Sequence, residues 1–341
     1  MVRVLQQVNN AERNHCIDLL RGLCLFGVLW HHTCLYIGED FVPKYMQQLS
    51  FFLEAPALFF VSGLTYQYVK REILINNIWR LSLSFTLISL IINGAMHELT
   101  LHRVTNPLFL TSLELPGEFE VLKGSYWFAT CYVVILMLSM VVFKMCYKLY
   151  PWIMVVIFGA LSAVYFGLIN FRNFYVGIEP FHRVLFNWFF FLFGYLCGER
   201  ILEKPMQQKI ALLLVLVVLL LLCGAYWYDD FSVTNIHYQK YISGLPYFLF
   251  SLFGVAGFIW YYSPEKKNRM LEHVGKNSLY YFIGQGLACF VLSLIEPYLH
   301  MPWGIKLLLL FAINIVFLFI CSEIFKFVYK IVVVKCLHLR G

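Results

Sequence analysis

Apolar runs of about 20 residues recur along nearly the whole of this 341-residue chain, and that one feature leaves little choice of fold. A run of that length matches the hydrocarbon thickness of a bilayer when it is helical. Lipid offers no hydrogen-bond partners, so the backbone must satisfy itself within each run, and unbroken runs without two-residue alternation do so only as helices. A β-barrel is thereby excluded. Candidate spans fall at about 17–37, 49–69, 79–96, 126–147, 151–170, 184–202, 208–226, 244–263, 278–298 and 305–328. The expected fold is an all-α integral membrane bundle of about ten transmembrane helices, read as one polytopic domain over 1–341 with both termini cytoplasmic. The charges set this topology. With the N-terminus inside, 18 Lys and Arg residues fall on the cytoplasmic side and 7 on the other, while Arg21 lies within a span.

Hydrophobic residues make up 61% of the chain and charged ones 13%, too little polar surface for a water-soluble domain of this size. The net charge of +7 is strung between the apolar runs rather than gathered on a face, which argues against a nucleic-acid partner. Ten cysteines lie in or beside the runs without a CxxC, so they read as reduced, small apolar side chains and no metal site is expected. A cleavable signal peptide is not expected, because the first run carries Asp18 and Arg21 and leads into His31 and His32.

Ionisable groups are costly in lipid, so each one inside a span is a candidate functional group. The first span, IDLLRGLCLFGVLWHH, holds the densest set. Arg21 and His32 are 11 residues apart, which brings them within about 20° of the same helix face and about 16 Å apart along the axis. His31 is turned about 80° from the Arg21 direction. Asp18 stands three residues before Arg21, where a carboxylate can steady a guanidinium. A planar cation near the cytoplasmic surface suits a phosphate or pyrophosphate, and a deep imidazole suits a general base. A blander reading stands beside this one, in which Arg21 snorkels to the surface and His32 packs helices through a hydrogen bond.

The second span runs back inward and carries Glu54, in FFLEAPALFFVSGL, at a depth close to His32. Its carboxylate can orient the ring as the third member of a triad does, or sit in water at a helix end. Pro56 should kink this helix, and Ser62-Gly63 permits close approach to a neighbour.

IDLLRG with His32 at an R-x10-H spacing is followed in order by APALFFVSGL, SYWFATCY, FNWFFFLFGYLCG and GKNSLYYFIGQG. This ordered set resembles the landmarks of membrane acyltransferase family 3 over nearly the whole chain. The resemblance implies a ten-helix enzyme that moves an acyl group, mostly acetyl, from cytoplasmic acyl-CoA to extracytoplasmic glycans or similar acceptors. It matches His32 to the family's histidine, Arg21 to its arginine, Ser62 and Gly63 to an SGF-type motif, and Trp127 to a WF-type motif. The chain departs from the family in three places. Lys70, Arg71 and Arg80 stand where an R-x-x-R cluster is common, Gln285 stands where many relatives have His, and an extracytoplasmic extension after the tenth span is not expected.

On this likeness, acyl-CoA (acetyl-CoA) is the expected co-substrate, with no permanently bound cofactor. Arg21, Arg71, Arg80 and Lys276 are expected to grip its phosphates, while His32, helped by Glu54, acts as base or acyl carrier at the far end of a tunnel. Asp18, Ser62 and Trp127 support the site, and Tyr126 and Asn187 are further wall residues. The expected partners are acyl-CoA, a glycan or lipid-linked sugar acceptor and the bilayer, and the expected location is a bacterial inner or plasma membrane. A transporter or exporter of a glycan or small metabolite remains the alternative, although the chain shows no repeated halves. A purely structural scaffold leaves the deep polar residues unexplained.

Overall fold

The computed structural model describes residues 15–66, 71–146, 149–165, 174–176, 179–200, 244–263 and 265–336, with scattered positions between 208 and 240. The described residues are helical throughout, apart from loops and one short hairpin, as expected of an all-α membrane protein. The opening helix α1, His15–His32, runs on through a π-helical turn at Thr33–Ile37. After it come α2 (Lys44–Leu49), a 3-10 turn (Ser50–Leu53), α3 (Ala55–Tyr66), α4 (Arg71–Ala95), α5 (Leu101–Leu108), α6 (Glu120–Cys146) and α7 (Tyr150–Tyr165). A two-stranded antiparallel pair, β1 (Tyr175–Val176) and β2 (Glu179–Pro180), leads into α8 (Phe181–Arg200). The remainder comprises α9 (Leu245–Tyr261), α10 (Arg269–Lys276), α11 (Ser278–Ile295) and α12 (Trp303–Tyr329).

Five helical stretches among the described residues are long and apolar enough to cross a membrane: Lys44–Tyr66, Ile73–Ala95, Gly117–Val141, Ser278–Tyr298 and Trp303–Val333. The first helix is not among them, because Asp18, Arg21 and three histidines dilute its apolar residues. Of the ten expected spans, 208–226 lies largely outside the described residues, as do both chain ends. The lipid-facing character is plain on α12, where Ile305, Leu308, Val316, Ile324 and Phe327 are all exposed.

Two helix pairs approach closely enough to define the site. A Cβ on Gly275 of α10 would lie 1.8 Å from the Asp18 carbonyl oxygen, and one on Gly22 of α1 would lie 2.2 Å from that of Leu271. Backbone therefore packs on backbone there, and only glycine fits. The same reciprocity joins α3 to α8: a Cβ on Gly63 would lie 1.9 Å from the Phe191 oxygen, and one on Gly194 would lie 1.9 Å from the Phe60 oxygen. Around these contacts α1, α3, α8 and α9 share one apolar core, and α4, α6, α11 and α12 share a second.

The second expected span is broken. Glu54 adopts an extended backbone between the 3-10 turn and α3, and Pro56 lies in the first turn of α3, where its missing N–H costs nothing. The short helix α10 was not anticipated. Asn268 caps it, its side chain accepting from the Leu271 N–H at 3.0 Å, and Gly275 seats it against α1.

Candidate active site

Arg21 and His32 each line a cavity, but the tunnel anticipated between them is not a single open bore. At the Arg21 end a cavity of about 240 Å³ opens among α1, α3, α4, α6, α10 and α11. At the His32 end a second cavity of about 30 Å³ is lined by His32, Glu54, Trp127, Gly124, Ser125 and Lys240, among others. Leu58, Phe128 and Phe282 line both. The Phe128 and Phe282 rings stand 5.1 Å apart, and three bulky apolar side chains meeting at this depth narrow the way between the two spaces.

The larger cavity gathers cations from three separate elements. Arg21 comes from α1, where Asp18 Oδ1 lies 3.5 Å from its Nη1 and Thr65 Oγ1 accepts from its Nη2 at 2.8 Å. Arg80 comes from α4 and donates through Nη2 to the Tyr280 hydroxyl at 3.2 Å, while its Nε has no acceptor among the described residues. Lys276, from the end of α10, lies 3.6 Å from Glu272. Ser62 and Asn77 add polar atoms to the same wall. Arg71 begins α4, but its side chain lies outside the described residues. Glu272 is itself held by His15, whose Nδ1 is 2.5 Å from Oε2, and this hydrogen bond keeps the Glu272 carboxyl below the usual carboxylate range. Cations held at 3.5 Å and beyond retain donors for an anionic ligand.

The smaller cavity is arranged differently. His32 is buried and its Nδ1 meets no partner among the described residues. The Glu–His pair anticipated at this depth forms with the other histidine, since Glu54 Oε1 lies 3.6 Å from His31 Nε2, and His31 Nδ1 is 2.8 Å from the Ser50 hydroxyl. The break at Glu54 turns its carboxylate toward α9 as well, where the Tyr247 hydroxyl donates to Oε2 at 2.7 Å, and Lys240, which precedes α9 in the chain, donates to Oε1. Trp127 forms a wall here, with the Arg183 guanidinium 5.3 Å and the Lys240 ammonium 5.6 Å from its ring centroid. Arg183 is fixed in turn by Glu179 at 3.0 Å, which also accepts from Thr130 at 2.8 Å. Burial raises the Glu179 carboxyl, and Arg183 opposes that rise.

Of the other anticipated wall residues, Tyr126 packs edge-on against Phe85 at 4.8 Å and Asn187 donates to the Arg183 carbonyl oxygen at 2.9 Å; neither lines the two cavities. Gln285 is fully buried on α11, with neither amide atom hydrogen-bonded among the described residues. Residues that sequence reasoning passed over are Lys240, Arg183, Tyr247, Thr65 and the three shared wall residues. Lys240 and Arg183 had been weighed only as topology charges. For Lys240 the sequence signal was a cation between Tyr238 and Tyr241, and Arg183 carried none beyond its charge.

A family model described as an acyltransferase domain matches residues 14–325. No curated protein and no solved structure matches the chain. The match runs from the residue before α1 to within four residues of the end of α12, so both cavities fall inside it.

Proposed function

The chain belongs to this acyltransferase family and is a membrane acyltransferase, and we propose that it transfers an acetyl group from cytoplasmic acetyl-CoA to a hydroxyl of an extracytoplasmic or lipid-linked glycan. The observation that carries this reading is the pair of unlike cavities meeting at Leu58, Phe128 and Phe282. Arg21, Arg80 and Lys276, drawn from three helices into one cavity, suit the phosphates and pyrophosphate of CoA. The pantetheine arm then extends past the shared apolar residues, whose side chains must turn aside to admit it. It presents the thioester to His32. There the imidazole takes the proton of the acceptor hydroxyl for direct attack, or takes the acyl group first and passes it on.

The role of His32 is tested by His32→Ala in membranes carrying the full-length protein. Transfer of label from [14C]acetyl-CoA to membrane carbohydrate should fall by about 10²–10⁴-fold. Protection against heat by acetyl-CoA should persist, since that reports donor binding at the other end. Undiminished transfer would remove His32 from the chemistry, and absence of protection of the wild type by acetyl-CoA would remove the donor assignment.

A further inference from the structure

We propose that Lys240 is a catalytic residue of this transfer, its ammonium stabilising the oxyanion that forms on the thioester carbonyl beside His32. The proposal rests on the acyl-transfer reading above. Lys240 is the only Lys or Arg among the described residues lining the small cavity that also holds His32. An ammonium carries three N–H donors. Glu54 accepts one, and among the described residues it is the only acceptor Lys240 has. Among the described residues, two donors are thus left for a ligand. The Nζ is also fixed from the sides, 5.6 Å from the centroids of both Phe51 and Trp127. A cation held by a carboxylate and two ring faces is oriented before the substrate arrives, and a preoriented donor stabilises developing charge without reorganising.

The thioester carbonyl is neutral in the ground state and bears a full negative charge in the tetrahedral intermediate, so a cation here acts mainly on the barrier. In the direct route the acceptor O–H gives its proton to His32, and the oxygen forms a bond to the thioester carbon. The carbonyl electron pair moves to its oxygen, which Lys240 receives. Collapse re-forms the carbonyl and breaks the C–S bond, and the CoA thiolate leaves with the proton held by His32. The products are the acetyl ester and CoA thiol. If His32 attacks first, the same oxyanion forms and meets the same ammonium. Glu54, with Tyr247 on its other oxygen, is then a positioning residue for Lys240.

The competing role for Lys240 is simply to neutralise Glu54, and three variants of the full-length protein in membranes separate the two. With [14C]acetyl-CoA as donor and membrane carbohydrate as acceptor, Lys240→Met should lower kcat by about 10²–10³-fold while KM for acetyl-CoA stays within about twofold. Lys240→Arg should recover part of the loss. The double variant Glu54→Gln/Lys240→Met removes both charges, leaves no unpaired carboxylate to disturb folding, and should remain as slow as Lys240→Met. Wild-type kcat in the double variant, or in a folded Lys240→Met, would overturn the proposal while leaving the acyl-transfer reading intact. No transfer by the wild type itself, in membranes where acetyl-CoA is intact, would overturn both.

Discussion

The two cavities place cations in opposite circumstances. At the Arg21 end, Arg21 and Lys276 stand 3.5 and 3.6 Å from their carboxylates, and Arg80 meets the hydroxyls of Tyr280 and Tyr329, its Nε unpartnered among the described residues. At the His32 end, Lys240 is bound directly to Glu54, and Arg183 is 3.0 Å from a Glu179 that Thr130 also holds. The first arrangement leaves donors open to a polyanion that comes and goes. The second fixes its charges in advance, which suits the proposed transfer, where charge develops and vanishes within one reaction. The proposed binding end and the proposed reacting end thus differ in how tightly their cations are already held.

Of the changes that test this contrast between the cavities, closing the junction between them should have the largest effect. Leu58→Trp fills the shared wall, and transfer from acetyl-CoA should drop by about a hundredfold, since misplacement of a reacting group by an ångström has that scale of effect. Unchanged transfer would mean that the acyl group never passes from one cavity to the other. A smaller effect is expected at the binding end, where Arg21→Lys keeps the charge and loses the planar fork. KM for acetyl-CoA should rise about tenfold with kcat little changed, and an unaltered KM would take Arg21 out of the donor site.

Glu272 offers a test by pH. Its folded carboxyl titrates below its unfolded value because His15 holds the ionised form. Its contribution to stability is therefore complete above the unfolded carboxylate pKa, about 4.3, and is lost as pH falls through the lowered value. The difference in Tm between wild type and Glu272→Gln should shrink below that pH, and a constant difference would dissociate Glu272 from His15 in the folded protein. The smallest change is expected at Gln285. Because neither amide atom has a partner, Gln285→Leu should leave Tm level or raise it slightly, and a clear fall would show that the amide is bonded in the membrane.

Much of the site was legible because a single helix carries its two ends. The 11-residue spacing from Arg21 to His32 is a property of helix geometry, so it separated the two cavity-lining side chains along one helix before any neighbour was known. Pro56 likewise marked the disturbance in the second span, although the break itself falls at Glu54. The choice between His31 and His32 as the partner of Glu54 was not legible. It depends on where an extended residue between two helices points its carboxylate, and neither depth nor periodicity encodes that direction. The helix α10 escaped because its eight residues are too short and too polar to register as a span. Lys240 escaped because its carboxylate partner is 186 positions away.

The order of apolar runs determined by itself that this chain is a helical membrane protein, since lipid leaves the backbone no other way to satisfy its hydrogen bonds. Tertiary structure alone decided which cations share a cavity, which histidine meets Glu54 and where the passage narrows. Those outcomes come from contacts between distant helices, where a glycine-to-carbonyl approach such as Gly275 on Asp18 sets how close two segments come. Hydropathy reports how much a residue prefers lipid, and it carries no information about which residue on another helix it will face.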